Sequence, residues 1–270
     1  MSNLSETCVG RRVAVFGGVY NNHLSLEATL AHARHRGATE LYCLGDMGGF
    51  GPNPDKVFPF LRDDSNLHVM QGNYDHSIGN RLDDCACGYT DPRDNHFAQI
   101  SYDYTLAKTA DTHKDWLRDL PASFRRSWAG QRVLLAHGSP RQVNEFLWES
   151  MCPDLFLEHL LAQYDTDVLF VTHTGIPWMR RLASGRLVVN VGAIGRPANT
   201  GEPSVDYALV DIGAEAVTVS FEKVAYDHER LAHEMRAEGL PEEFAETILT
   251  GYWTTCLEVL PGKERALGKY

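Results

Sequence analysis

Polar side chains recur in this chain where a strand gives way to a loop, at residues 17–22, 45–46, 72–75, 137–140 and 172–175. The loops offer Asp46, Asn73, Asp75, His137 and His173, the carboxylate, amide and imidazole groups that hold cations or move protons near neutral pH. Strand ends are where α/β sheets present their chemistry. Taken singly each has a plain reading, because Asp after Gly is a common turn or cap residue and a lone His is usually just hydrogen-bonded. Read together, they ask for an architecture that brings all five loops to one place.

The elements that would do this can be read in order. Residues 13–16 form a strand, with Val13, Val15 and Phe16 before the Gly17-Gly18 stop. Ser25 then reads as the N-cap of a helix carrying Leu26, Thr29, Leu30 and Ala33 at helical spacing. A second strand at 40–44 completes a βαβ unit. A short helix at 55–61 and a third strand at 67–70 follow, then an irregular acidic stretch at 79–95 that contains Cys85 and Cys87. Helices are expected at 97–108, 111–120 and 154–163, with strands at 132–136 and 168–171. Strands at 187–190, 207–211 and 216–223 lack intervening helices, so this half should be antiparallel or mixed. Two helices, 227–238 and 242–250, close the chain. No internal repeat, low-complexity segment or linker divides it. Residues 1–270 therefore read as a single domain, with 227–270 as a C-terminal helical extension.

The order and spacing of the five loops resemble those of the calcineurin-like metallophosphoesterases of the small bacterial branch. The likeness continues through HGSPR at 137–141, NVGAIGRP at 190–197 and the strand at 207–211, and covers roughly residues 12–223. It implies an α/β fold, a four-layer α-β-β-α sandwich of mixed sheets, and phosphoester hydrolysis at two metals that share a bridging Asp. Carried over by position, one ligand set is complete: Asp46, Asn73, His137 and His173, a set suited to Fe, Mn or Zn. The private ligands of the other metal are gone, since Gly18, Tyr20 and Gly175 stand where the family has Asp, His and His. Tyr74 replaces the His that meets the leaving group in relatives, with Asp75 beside it. Losing one set whole while keeping the other implies a site altered for one divalent or trivalent transition metal, not a decaying one.

The resemblance makes Tyr74, Asp75 and Tyr20 the catalytic candidates. A phenol of pKa near 10 is a poor base unless a cation depresses it, and Tyr20 could instead ligate the metal. Substrate-binding candidates are Asn22, His23, Arg141 and Arg196, the two arginines as bidentate clamps for an anion. His23, His76, Cys85 and Cys87 lie where they could rebuild a second metal site. The plainer reading makes the histidines exposed or capping and the cysteines a pair of reduced loop thiols. Phe50, Trp148 and Trp178 are pocket walls or core.

Composition sets the outer limits. The chain has 270 residues, 43% of them hydrophobic, enough for a sizeable core. No apolar run is long enough to span a membrane. The opening MSNLSETCVGRR lacks the apolar segment of a secretory leader, so the six cysteines read as reduced thiols in the cytoplasm. A net charge of −11 argues against nucleic acid and acidic membranes as partners. The expectation is a cytoplasmic, metal-dependent phosphoesterase-like hydrolase with a mononuclear site and a small anionic, phosphate-bearing substrate. Two alternatives keep the fold: a non-catalytic metal-binding regulatory protein, and a single-iron enzyme of non-hydrolytic chemistry.

Overall fold

The first strand, β1 (Arg11–Phe16), sends Val13 and Val15 to one apolar layer and Ala14 and Phe16 to another, following the two-residue period of a strand. That alternation sets the layering of the whole computed structural model, which describes residues 10–270. Residues 1–9, on which the leader reading largely rests, lie outside the described residues.

The chain runs β1, α1 (His23–His35), β2 (Glu40–Cys43), a 3₁₀ turn (Pro54–Lys56), α2 (Phe58–Arg62), β3 (Leu67–Val69), α3 (Asn73–Asn80), α4 (Pro92–Lys108) and α5 (Asp111–Arg118). It continues with β4 (Phe124–Trp128), β5 (Gln131–Leu135), α6 (Asp154–Gln163), β6 (Val168–Val171), β7 (Trp178–Arg181), β8 (Leu187–Asn190), β9 (Val205–Ile212) and β10 (Val217–Val224). The last elements are α7 (His228–Ala237), α8 (Glu242–Thr250) and α9 (Gly262–Arg265). One sheet has the order β10-β9-β1-β2-β3 and the other β4-β5-β6-β8-β7. β1, β2 and β3 run parallel, as do β5, β6 and β8, while β9, β10, β4 and β7 pair antiparallel, so both sheets are mixed.

Val13 and Val15 meet Val133, Leu135, Val168 and Phe170 between the sheets. Ala14 and Phe16 pack under Leu26, Leu30 and Ala33 of α1. Leu134 and Leu169 pack under Leu157, Leu160 and Leu161 of α6. This is the four-layer sandwich, and it places the carboxyl ends of β2, β3, β5 and β6 along one margin.

Several expectations need correction. Helix α1 starts two residues before Ser25, and its cap is Asn22, whose Oδ1 accepts the Ser25 N–H. The expected helix at 55–61 is a 3₁₀ turn followed by α2. The stretch at 79–95 is not all irregular: α3 enters it, and α4 begins at Pro92, the favoured first position of a helix. Strands β4 and β7 were hidden by arginines on their exposed faces.

Candidate metal centre

Four side chains converge from four strand ends. Asp46 follows β2, Asn73 opens α3, His137 follows β5 and His173 follows β6. The backbone is bent sharply to aim them. Asp46 and His173 have φ values of 57° and 61°, in the left-handed region that non-glycine residues seldom adopt. Tyr20, Phe50 and Cys256, which border the same cavity, share that conformation. Such strain gathers at sites whose geometry is held by the surrounding fold.

The donor atoms leave a cation-shaped gap. His137 Nδ1 lies 2.6 Å from the Leu44 carbonyl oxygen, which only accepts, so the proton sits on Nδ1 and Nε2 keeps its lone pair. Nε2 faces Asp46 Oδ2 at 3.2 Å and His173 Nδ1 at 3.2 Å. The other nitrogen of the His173 ring, Nε2, is buried without a hydrogen-bond partner. The Asn73 Nδ2 donates to Cys85 O at 2.9 Å, leaving its Oδ1 buried without a partner. Acceptors crowded this closely repel unless a positive charge lies among them. Two imidazoles, a carboxylate and an amide oxygen fit a transition metal.

Electrostatics agree. Burial works against charge on Asp46, but His137, His173 and the Tyr74 N–H together hold the carboxyl below its usual range. Burial likewise opposes charge on His137, yet Asp46 raises its pKa. Burial and neighbouring His137 lower His173 to about 3, leaving it neutral and free to ligate. Asp75 accepts the backbone N–H groups of Asp46, Met47 and Gly72, which ties the second and third loops together. Burial and the Asp46 carboxylate raise its own carboxyl to about 7 despite those donors. Its side chain is fully engaged in positioning Asp46.

The tyrosines behave differently from the expectation of an ionisable base. Burial pushes both phenols up, so they are neutral at ordinary pH. Tyr74 lies over Gly49 and directs its hydroxyl at Ala98 O and Ser101 Oγ, each at 3.3 Å. Tyr20 packs its ring beside Gly18, where an added Cβ would stand 2.9 Å from its Cζ. The space beside Gly175 is filled as well: a Cβ there would lie 3.3 Å from Trp253 and 3.5 Å from the Arg196 guanidinium. The room beside Gly18 and Gly175 is thus taken by a phenol, an indole and a guanidinium.

Tyr20, Tyr74 and Arg196 share one cavity of about 500 Å³ of empty space, mouth included, with Asp46, Asn73 and His173. Phe50, Tyr89, Phe97 and Phe244 add aromatic walls, and Cys256 and Thr255 come from the segment after α8. Trp253, Cys256 and Tyr89 were missed in the sequence. No local spacing ties them to the loops, since a fold brings them in from far along the chain.

Other candidates lie elsewhere. Asn22 is spent on its cap and on Gly195 O, to which its Nδ2 donates at 3.1 Å. His23 is neither exposed nor at the metal centre: it is buried against α7, with Nε2 3.8 Å from Glu234. His76 is exposed and bonded to Gln71 and Asn80. Arg141 does not reach the cavity; Glu145 holds its guanidinium at the surface. Cys85 and Cys87 are not free thiols but are joined in a disulfide. This small ring touches the centre through Asn73, whose Nδ2 lies 3.5 Å from Cys87 Sγ. Phe50 lines the cavity, while Trp148 and Trp178 flank a separate pocket beside Lys263 and Glu264.

No helix among the described residues is long and apolar enough to cross a membrane. Comparison with known proteins places the whole arrangement. The uncharacterized protein MJ0912 of Methanocaldococcus jannaschii is 25% identical over 253 residues, 88% of this chain and 98% of its own. The crystal structure of the hypothetical protein PH1004 from Pyrococcus horikoshii OT3 superposes with a TM-score of 0.75 at 26% identity. The match covers 90% of this chain and 99% of that one. A metallophosphoesterase from Sphaerobacter thermophilus gives 0.69 at 25% identity, with the same coverage. The model of the calcineurin-like phosphoesterase superfamily domain matches residues 12–215, and the chain belongs to that metal-dependent superfamily.

Proposed function

We propose that the protein is a phosphoesterase-like hydrolase that holds one transition metal ion on Asp46, Asn73, His137 and His173 and acts on a small, phosphate-bearing anion. The observation that carries this reading is the set of lone pairs on Asp46, His137 and His173, within 3.2 Å of one another along the chain of contacts, with the unpartnered Asn73 Oδ1 beside them. When bound, the metal supplies Lewis-acid charge to a phosphoryl oxygen and to the attacking water. The protein does the rest. Asp75 fixes Asp46 through its backbone N–H. Leu44 O sets the tautomer of His137, and Cys85 O orients the Asn73 amide. Tyr74 and the ring of Tyr20 line the wall of the cavity, the neutral Tyr74 hydroxyl being engaged by Ala98 O and Ser101 Oγ.

The test is elemental analysis of protein purified without chelator. We expect close to one equivalent of Fe, Mn or Zn per chain, lost in Asp46→Ala and His173→Ala. Two equivalents at full occupancy, or one that survives both substitutions, refutes the reading.

A further inference from the structure

Arg196 is buried at 6% exposure, borders the cavity with Asp46 and His173, and has no ion pair among the described residues. Its Nε has no hydrogen-bond partner either. An unpaired charge is costly to bury, so chains keep one only where something compensates it. Part of the compensation is aromatic: the guanidinium carbon stands 3.5 Å from the Trp253 ring centroid, with Tyr20 at 5.7 Å and Phe50 at 5.9 Å. The Cys256 thiol faces it as well. None of these is an anion.

The seat is rigid. Trp253 Nε1 donates to Pro197 O at 2.6 Å, next to Arg196 itself, and the Trp253 N–H donates to Asn199 Oδ1 at 2.8 Å. Gly175, at φ +74°, leaves the gap into which both the indole and the guanidinium fit. A planar fork of donors thus borders the same cavity as Asp46, Asn73 and His173, among the rings that line it.

We infer that Arg196 is the fixed second cation of this site, its guanidinium receiving phosphoryl oxygens opposite the metal held by Asp46, Asn73, His137 and His173. This rests on the phosphoester reading above. Hydrolysis of such esters calls for positive charge on more than one oxygen, usually from two metals. A guanidinium supplies it without a second set of ligands, and its fork matches the geometry of phosphate. The segment after α8, which carries Trp253 and Cys256, is on this account part of the site.

The experiment titrates inorganic phosphate calorimetrically into protein loaded with one equivalent of Mn²⁺, comparing the parent with Arg196→Met and Arg196→Lys. Arg196→Met should keep its metal and lose about 10- to 100-fold in phosphate affinity, the scale of a charge-assisted pair. Arg196→Lys should recover part of it. Failure of the parent to take up the metal counts against the proposed function. Equal phosphate affinity in the parent and metal-loaded Arg196→Met overturns the inference alone. Should Arg196→Met not fold, alkylation of the unmutated, loaded protein decides. Phosphate should slow modification of Cys256 several-fold and leave Cys152, packed under α6, unaffected. Absence of that protection also overturns the inference.

Discussion

Replacing Gly72 by Ala puts a methyl group into the donor cluster. The added carbon would lie 2.3 Å from Asp46 Oδ1, 2.6 Å from the Asp46 amide nitrogen and 2.9 Å from His137 Cε1. To restore even a 3.0 Å separation, the Asp46 carboxylate must recede by about 0.7 Å or the loop must open. The backbone is not the obstacle, because Gly72 has φ −94°, which alanine tolerates. Overpacking of this kind costs about 1–3 kcal/mol. Displacing a donor should weaken metal binding by about 10- to 100-fold, the loss typical when groups supporting a metal ligand are disturbed. Urea unfolding of the metal-free protein measures the first quantity, and titration with Mn²⁺ or Zn²⁺ the second. Gly262→Ala serves as control, since nothing lies within 4 Å of its added carbon, and should change stability by less than about 0.5 kcal/mol. If Gly72→Ala unfolds and binds metal like the parent, the packing that is said to aim Asp46 does not do so.

Tyr74→Phe removes two hydrogen bonds of 3.3 Å to Ala98 and Ser101, and should cost about 0.5–1.5 kcal/mol by urea unfolding; no change would place the hydroxyl outside that network. Reducing the Cys85–Cys87 disulfide with dithiothreitol frees the loop whose carbonyl holds the Asn73 amide, so metal affinity should fall several-fold; identical titrations with and without reductant would refute this. Metal-free protein should lose stability as pH drops below about 6.5, because burial lowers the pKa of His23 in the folded state while the unfolded chain takes up the proton. Melting temperatures of parent and His23→Gln between pH 4 and 7 test the sign, the variant having the shallower decline if the reasoning holds.

The parallel core of the fold and the candidate metal donors that it brings together were legible in the sequence for one reason. Each donor lies within three residues of the end of an apolar run, so the strand end and the chemical group are read together, as with Val168–Val171 and His173. Cap and clamp residues were harder, because their partners lie elsewhere. Ser25 looks like a cap from the residues that follow it, and only the turn at Tyr20 and Asn21, both at positive φ, puts Asn22 in that place. Arg141 resembles an anion clamp until Glu145, four residues on, takes its guanidinium. Beyond Phe50 and the candidates on the loops, the surroundings of the cavity were not legible. Tyr89 comes from the loop before α4, and Trp253 and Cys256 from a segment with no periodic pattern, so their meeting at Arg196 depends on the packing of α7 and α8 against α1. The disulfide is invisible for a related reason: two cysteines in an acidic loop carry no spacing that distinguishes paired from free.

The position of Trp253 also sets an order in time. All four metal donors lie at or before His173, about 80 residues ahead of Trp253. At ribosomal rates of about 5–20 residues per second, the last of these residues is synthesised about 4–16 seconds before the indole that seats Arg196. The part of the chain that seats the guanidinium is therefore among the last to be made. A chain interrupted at the end of β10 would still encode the candidate donors and every strand of both sheets, but would lack the indole that seats the guanidinium.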